Sequence, residues 1–265
     1  MRAFEILKKA ISGILYPEGV TCALCGNELS ESSRYGLCPD CSVPFIVQRC
    51  EKCGTALMQS GRKYCDRCVG GKDGHEFVMA RAPFPYARDC VKRLVWKLKY
   101  YNSPYCAKLM AEPMAELLRS LGWNADVIAY VPMHPKKLAK RRYNQSKLLA
   151  GHLSDLTGIP VIDALIKTTY AKQSAASLGR EDRRKLLDNT FAPSGGESLK
   201  GKTVLLVDDV FTTGATADEC AKALKAGKAK AVYVLTYATS IGDKTVTYEP
   251  DDEKGIRRLM RMRGS

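Results

Sequence analysis

The stretch from Thr203, TVLLVDDVFTTGATADECAKALKA, limits the fold of this chain more than any other part of it. Val204 to Val207 is an unbroken apolar run, the pattern of a parallel strand buried on both faces. Asp208 and Asp209 follow at the strand's C-terminal end, where open α/β sheets bind their ligands. Val210, Phe211, Thr212, Thr213, Gly214, Ala215 and Thr216 then form a loop rich in small residues that opens into a helix. The apolar face of that helix is Ala217, Cys220, Ala221 and Leu224, and Thr216 with Glu219 three residues later fits a capping box.

Such a loop has a definite chemistry. Backbone amides and threonine hydroxyls at a helix N-terminus can ring a phosphate, helped by the positive end of the helix dipole. The two carboxylates do not suit that phosphate, but they accept hydrogen bonds from ribose hydroxyls or help hold Mg²⁺. Two acids that merely solvate a strand end would explain Asp208 and Asp209 alone, not the TTGAT that follows them. From Val204 through Thr216 the chain resembles the type I phosphoribosyltransferase family. The resemblance implies that Asp208 and Asp209 contact the ribose of phosphoribosyl pyrophosphate as the catalytic acids. It further implies that residues 210–216 hold the 5′-phosphate and that Mg²⁺ carries the pyrophosphate. The segment GESLKGKT at 196–203 fits a nucleotide-binding P-loop pattern, but it runs into a strand instead of a helix and is read as an accidental match.

Eight of the 11 cysteines form four CxxC pairs: Cys22/Cys25, Cys38/Cys41, Cys50/Cys53 and Cys65/Cys68. Twelve residues separate the first two pairs and eleven the last two, and Cys22 to Cys50 spans 28 positions against 27 from Cys38 to Cys65, so the block is a tandem duplication. Gly26 and Gly54 each follow a first knuckle, where a positive φ lets amides face the thiolates. Tetrahedral zinc wants four soft ligands, and the block predicts two structural Zn²⁺ sites of four thiolates each, closed to catalysis. Pairing within each half closes the shortest loops, but an interleaved cross-brace uses the same residues, and spacing leaves the choice open. A redox dithiol fails on number and on the lack of a surrounding βαβ pattern. His75, beyond the block, is read as a surface residue and not a ligand.

A second strand, Val127 to Val131, ends in Pro132, Met133, His134 and Pro135, and from Lys136 to Lys147 there are six bases and no acid. That concentration suits a pyrophosphate or nucleic-acid phosphates, and helix is expected from about Tyr143. For His134 a loop or hydrogen-bonding role is preferred to acid–base catalysis. Lys92, Arg93, Lys97 and Lys99 with Trp96, Tyr100 and Tyr101 have the makings of a single-stranded nucleic-acid surface; the preferred reading is an amphipathic helix with Val91, Leu94, Val95 and Leu98 inward.

The four CxxC pairs, PFPYARDCVKRLVWKLKYY, VPMHPKK, RRYNQSKLLA, the stretch Lys167 to Phe191 and VLLVDDVFTTGAT together resemble the ComF family of bacterial competence-associated proteins, from Tyr16 to about Tyr237. The resemblance implies a double zinc ribbon ahead of a phosphoribosyltransferase domain, and a role linked to DNA uptake in natural transformation. Lys99, Arg141, Asn144, Gln145, Gln173 and Arg183 occupy characteristic positions of that pattern. Lys99, Met133, His134, Arg141 and Arg142 form the expected pyrophosphate side. Arg142 stands where the family has glycine, and Leu186 where it usually has asparagine.

The expected fold class is α/β: a mostly parallel, type I phosphoribosyltransferase-like sheet flanked by helices and preceded by a small double zinc ribbon. Residues 1–72 hold an N-terminal helix and the ribbons, 73–245 the α/β domain with a small cap around Phe77 to Phe84, and 246–265 a mobile tail. Phe4, Leu7, Ile11 and Ile14 give the first segment helical spacing for docking, while Glu5, Lys8 and Lys9 interrupt any export signal. The net charge of +14 points to anionic partners, and no run approaches the roughly 18 apolar residues of a spanning helix. A cytoplasmic, Mg²⁺-dependent phosphoribosyltransferase or binder of phosphoribosyl pyrophosphate is expected, with single-stranded DNA and a protein of the competence machinery as further partners. The rival is a non-catalytic nucleic-acid adaptor that keeps the pocket as a sensor or relic.

Overall fold

The computed structural model describes residues 21–57, 59, 61–71, 74–169, 190–195 and 198–240. The expected N-terminal helix, Gln173, Arg183, Leu186 and the tail lie outside the described residues. After the cysteine block the elements are β1 (Met79–Arg81), β2 (Phe84–Pro85), α1 (Asp89–Tyr100), α2 (Cys106–Leu121), β3 (Val127–Tyr130), α3 (Pro135–Arg141) and α4 (Gln145–Thr157). They continue with β4 (Leu165–Lys167), β5 (Phe191–Pro193), β6 (Thr203–Phe211), α5 (Ala215–Ala226) and β7 (Ala231–Thr239).

The main sheet is parallel throughout, in the order β1–β7–β6–β3 with β2 also on β7, while β4 and β5 form a separate antiparallel pair. Ile128 of β3 makes a further parallel bridge to Val161, which follows α4. Successive connections therefore run outward from β3 to Val161 and inward from β6 to β7, so the winding direction reverses between β3 and β6. Loops leaving these two strands at their C-terminal ends diverge and open a crevice, the usual ligand position in such sheets.

Alternation along the strands divides the core into two layers. Ile128, Leu205, Val207, Leu235 and Tyr237 pack with buried residues of α1, α2, α4 and the first cysteine half. Val127, Ala129, Val204, Leu206, Val232 and Val234 pack with α5, the β4–β5 pair and the second cysteine half. Leu205 and Leu206 are wholly buried, each worth about 2–3 kcal/mol of apolar burial, so β6 holds both layers together.

Four local expectations are corrected. The strand at Val204 runs on through both acids to Phe211, because β7 continues beside it to Thr239. The segment Phe77 to Phe84 supplies β1 and the start of β2 on the flank of the main sheet, not a cap. Helix begins at Pro135, whose ring suits a first helical position, and resumes at Gln145. The capping box is absent: Gly214 caps α5 with φ 86°, so Thr216 lies inside the first turn. The described part of the P-loop match turns at Gly201 and enters β6 at Thr203, with no helix after it.

Candidate functional site

The cysteine knuckles repeat at the level of single hydrogen bonds. Cys22 N–H donates to Asn27 O (2.7 Å) and Cys50 N–H to Thr55 O (2.9 Å); Gly26 and Gly54 N–H donate to Cys22 and Cys50 O, each at 2.9 Å. Both glycines have the expected positive φ, 79° and 68°. The Sγ atoms of Cys22, Cys25, Cys38 and Cys41 all lie within 4.8 Å of one another, as do those of Cys50, Cys53, Cys65 and Cys68. Pairing is thus within each half, and the cross-brace is excluded. Cys25 and Cys38 Sγ are 3.6 Å apart and Cys53 and Cys65 Sγ 3.7 Å. A zinc tetrahedron with bonds of ~2.3 Å has edges of ~3.8 Å, so both tetrads fit the metal. His75 belongs to neither tetrad; its side chain is only 3 % exposed, which corrects its reading as a surface residue.

At the crevice, Asp209 is buried, and its Oδ1 lies 2.9 Å from Lys99 Nζ of α1. Its Oδ2 is buried with no hydrogen-bond partner among the described residues. A buried carboxylate oxygen left without a donor costs free energy unless something else supplies one. Asp208 Oδ1 accepts Ser146 Oγ–H at 2.7 Å and the Asp209 N–H at 2.9 Å. Burial, then the neighbouring Asp209 charge, pushes the Asp208 carboxyl up to about 6, against the opposing pull of Ser146 and Lys99. Burial would lower the Lys99 ammonium, but the Asp209 carboxylate outweighs it and holds the proton more tightly.

Further bases gather around this pair. Partial desolvation, then repulsion from Arg141, Lys99 and Lys167, lowers the Lys137 ammonium although its side chain is exposed, so these cations share one field. Lys167 is lowered by burial and lies over the Phe191 ring at 4.9 Å. Arg141 donates to Gln145 Oε1 (3.1 Å), with its guanidinium over Tyr100 at 5.2 Å. Asn144 caps α4, accepting from Ser146 and Lys147 N–H, and donates to Val131 O at 3.0 Å, which fixes the helix to the end of β3. Of the expected pyrophosphate side, Lys99 and Arg141 reach the cluster. His134 caps α3 by accepting the Lys136 N–H, Met133 lies in the turn before it, and Arg142 ends α3 with an exposed side chain. Ser146, Lys137 and Lys167 belong to this site although sequence reasoning did not select them. The run of bases and the RRYNQS segment held two of them in view, but nothing local told Lys137 from Lys136.

Helix α1 is the amphipathic helix expected, with Val91, Leu94, Val95 and Leu98 buried. Arg93 donates to Leu24 O and Lys97 to Ala23 O, each at 2.7 Å, so two of its bases grip the first zinc half, and Lys99 holds Asp209. Those contacts engage three of its four bases, while Tyr100 and Tyr101 are exposed.

The threonine loop lies between Phe211 and Ala215. Thr212 O accepts Arg67 Nη1–H (3.1 Å) and Ser240 Oγ–H (3.0 Å), and Thr213 Oγ1 accepts the Ala215 N–H (3.4 Å). Gly214 is required here: a Cβ would come within 2.8 Å of the Phe211 ring and 3.1 Å of His75 Cε1. Asp218, in the first turn of α5, accepts the Glu76 N–H (3.0 Å) and pairs with His75 Nδ1 (2.8 Å). Arg67 and His75 were not read as site residues. Together the crevice offers an acid pair with a vacant carboxylate oxygen, a cluster of bases and a glycine-threonine turn at a helix N-terminus.

Residues 99–259 match the family model described as phosphoribosyl transferase domain, and residues 11–69 that of a double zinc ribbon domain. Competence protein F of Haemophilus influenzae is 26% identical over 204 residues, covering 73% of this chain and 86% of that protein. Competence protein ComFC of Streptococcus pneumoniae is 26% identical over 195 residues, covering 74% and 77%. DNA utilization protein YhgH of Escherichia coli (strain K12) is 26% identical over 217 residues, covering 80% and 94%. Among the described residues no helix is long and apolar enough to cross a membrane.

Proposed function

The chain belongs to the phosphoribosyltransferase domain family, joined to the double zinc ribbon of ComF proteins, and from that premise we propose that it binds phosphoribosyl pyrophosphate with Mg²⁺ and transfers the phosphoribosyl group. The observation that carries this reading is the acid pair on β6 just ahead of the threonine loop, with Asp209 Oδ1 held by Lys99 and its Oδ2 a buried acceptor with no partner among the described residues. Ribose hydroxyls supply the missing donors, and Asp208 accepts from the same sugar. Residues 212–216 hold the 5′-phosphate through amides and hydroxyls. Lys99, Lys137, Arg141 and Lys167 face the pyrophosphate.

In the reaction the bond from the anomeric carbon to the pyrophosphate oxygen breaks, and a bond to a nucleobase or amine nitrogen forms. Positive charge grows on the sugar as negative charge grows on the leaving group, so fixed carboxylates near the ribose and fixed bases near the pyrophosphate stabilise the same moment. Bound Mg²⁺ would be held through the pyrophosphate and the Asp208–Asp209 side, where it would neutralise leaving-group charge. The relatives' names, competence and DNA utilization, support a role in handling incoming DNA, and eight unbridged cysteines suit a reducing cytoplasm.

Calorimetry with phosphoribosyl pyrophosphate and Mg²⁺ tests the reading. Asp208→Asn together with Asp209→Asn is expected to weaken binding about 100-fold, roughly 2.7 kcal/mol. Unchanged affinity in that variant overturns the assignment of the acids. Pyrophosphate release on adding a nucleobase or amine then tests transfer.

A further inference from the structure

The second zinc half touches the threonine loop directly, and the first does not do so by any bond among the described residues. Arg67 lies between two metal ligands, in the knuckle Cys65-Asp66-Arg67-Cys68. Its guanidinium forks: Nη1 donates to Thr212 O at 3.1 Å and Nη2 to Thr55 Oγ1 at 2.9 Å. Thr55 is wholly buried, and its hydroxyl lies 3.2 Å from Cys53 Sγ. One planar cation thus bridges the loop and the metal tetrad. His75, just past the ribbon, closes the other side, against Gly214 and paired with Asp218 of α5.

Two physical consequences follow. In a trans peptide the C=O and the next N–H point in opposite directions, so fixing Thr212 O from the ribbon side turns the Thr213 N–H away from the ribbon. Zinc bound by four thiolates carries a net charge of about −2, which holds Arg67 electrostatically; four protonated thiols carry none. The Thr55 hydroxyl can then donate to a thiolate while accepting from Arg67. The duplication supplies its own control: the position equivalent to Arg67 in the first half is Asp40, exposed and of opposite charge.

We propose that Arg67 is a positioning residue that makes the second zinc site and the phosphate loop one coupled unit, so that zinc in that ribbon holds the loop ready for a sugar phosphate and a bound sugar phosphate retains that zinc. Reciprocity is required: whatever factor the metal contributes to ligand affinity, the ligand returns to metal affinity. The inference rests on the reading of residues 212–216 as the phosphate loop.

The experiment uses the full chain loaded with two zinc equivalents. Without ligand, amide hydrogen exchange at residues 212–215 is expected to rise about tenfold in Arg67→Ala, to recover only in part in Arg67→Lys, which lacks the fork, and to stay unchanged in Asp40→Ala. With ribose 5-phosphate as the probe, release of one of the two zinc equivalents to a colorimetric chelator is expected to slow about fivefold in the wild type. In Arg67→Ala that protection is lost while both equivalents remain bound. In Cys25→Ser the remaining zinc is still protected. Exchange unaltered in both Arg67 variants, or protection that survives in full in Arg67→Ala, overturns the coupling. A wild type that binds neither ribose 5-phosphate nor phosphoribosyl pyrophosphate, while Arg67→Ala still loosens the loop, overturns the ligand reading and leaves the positioning role standing.

Discussion

The two zinc halves are copies in backbone and ligands, yet they sit in opposite layers and do different things. The first packs with α1, α2 and α4, leaves Cys25 exposed, and offers the carbonyls of Ala23 and Leu24 to Lys97 and Arg93. The same helix carries Lys99 to Asp209, so this half steadies the basic side of the crevice at one remove. The second buries all four cysteines. Its Gly54 fits so closely against β1 that a Cβ would fall 2.2 Å from Ala80 O, and Arg81 donates back to Glu51 O at 2.9 Å. Duplication preserved the metal chemistry, because that needs only four thiolates at a fixed spacing. The residues between the ligands were free to diverge, and they decide what each metal supports.

If this contrast is right, losing the second metal costs far more than losing the first. Cys53→Ser removes a ligand from a fully buried tetrad that belongs to the core and lies against β1, and is expected to lower stability by about 5 kcal/mol. Cys25→Ser removes an exposed ligand and is expected to cost about 2 kcal/mol. Zinc content and denaturant midpoints of the two variants measure this. Equal losses would mean that the two halves are structurally equivalent and would break the comparison.

Much of this architecture is legible in the chain, for identifiable reasons. Strand, acids, threonine turn and helix fall within one contiguous stretch, so local rules suffice for the layout of the Asp208 to Thr216 region. The tetrads are legible because metal ligation demands a spacing. Loops of twelve and eleven residues did not choose between pairing schemes, and packing made that choice. What escaped notice spans long separations. Ser146 meets Asp208 across 62 positions, His75 meets Asp218 across 143, and Arg67 meets Thr212 across 145. An isolated histidine after a turn carries no local sign that Phe77 will stack on it at 4.6 Å. A strand of three residues such as β1 is likewise too short to show a period.

The acid pair sharpens the comparison through pH. A carboxyl raised to about 6 is neutral below that pH, and a neutral acid is a poor acceptor for sugar hydroxyls or a cation. Affinity for phosphoribosyl pyrophosphate with Mg²⁺ is therefore expected to fall about fivefold from pH 6 to pH 5, as the charged fraction drops from about one half to about one tenth. Asp208→Asn removes this component and leaves only the ligand's own titration. The sign for stability is the reverse: the folded state holds this proton more tightly than the unfolded chain, so the contribution is complete below the ordinary carboxyl range and is lost as pH rises through about 6. Since Ser146 and Lys99 restrain the shift from the first ribbon's side of the sheet, Ser146→Ala moves the inflection upward, whereas Arg67→Ala weakens binding at every pH and leaves the inflection in place. An inflection that followed Arg67 instead would merge the two halves of the site.

The smallest effect concerns Arg142, on the first ribbon's side of the crevice. It closes α3 with φ 72° and ψ −19°, a left-handed conformation that costs a residue with a Cβ about 1 kcal/mol. Glycine adopts it freely, which gives a physical reason for glycine at this place in the ComF pattern. Glycine also frees the unfolded chain, so Arg142→Gly is expected to stabilise the fold by only about 0.5 kcal/mol. The lost charge acts in the opposite direction on ligand. The Arg142 side chain is exposed, while Arg141 and Lys167 are half-buried and Lys99 holds Asp209, so affinity for the pyrophosphate is expected to fall less than about threefold. Melting and calorimetry on the one variant separate the two effects. A larger loss of affinity would place Arg142 among the residues that face the pyrophosphate, at a position where the ComF pattern has glycine, and would give the first ribbon's side a greater share in ligand recognition.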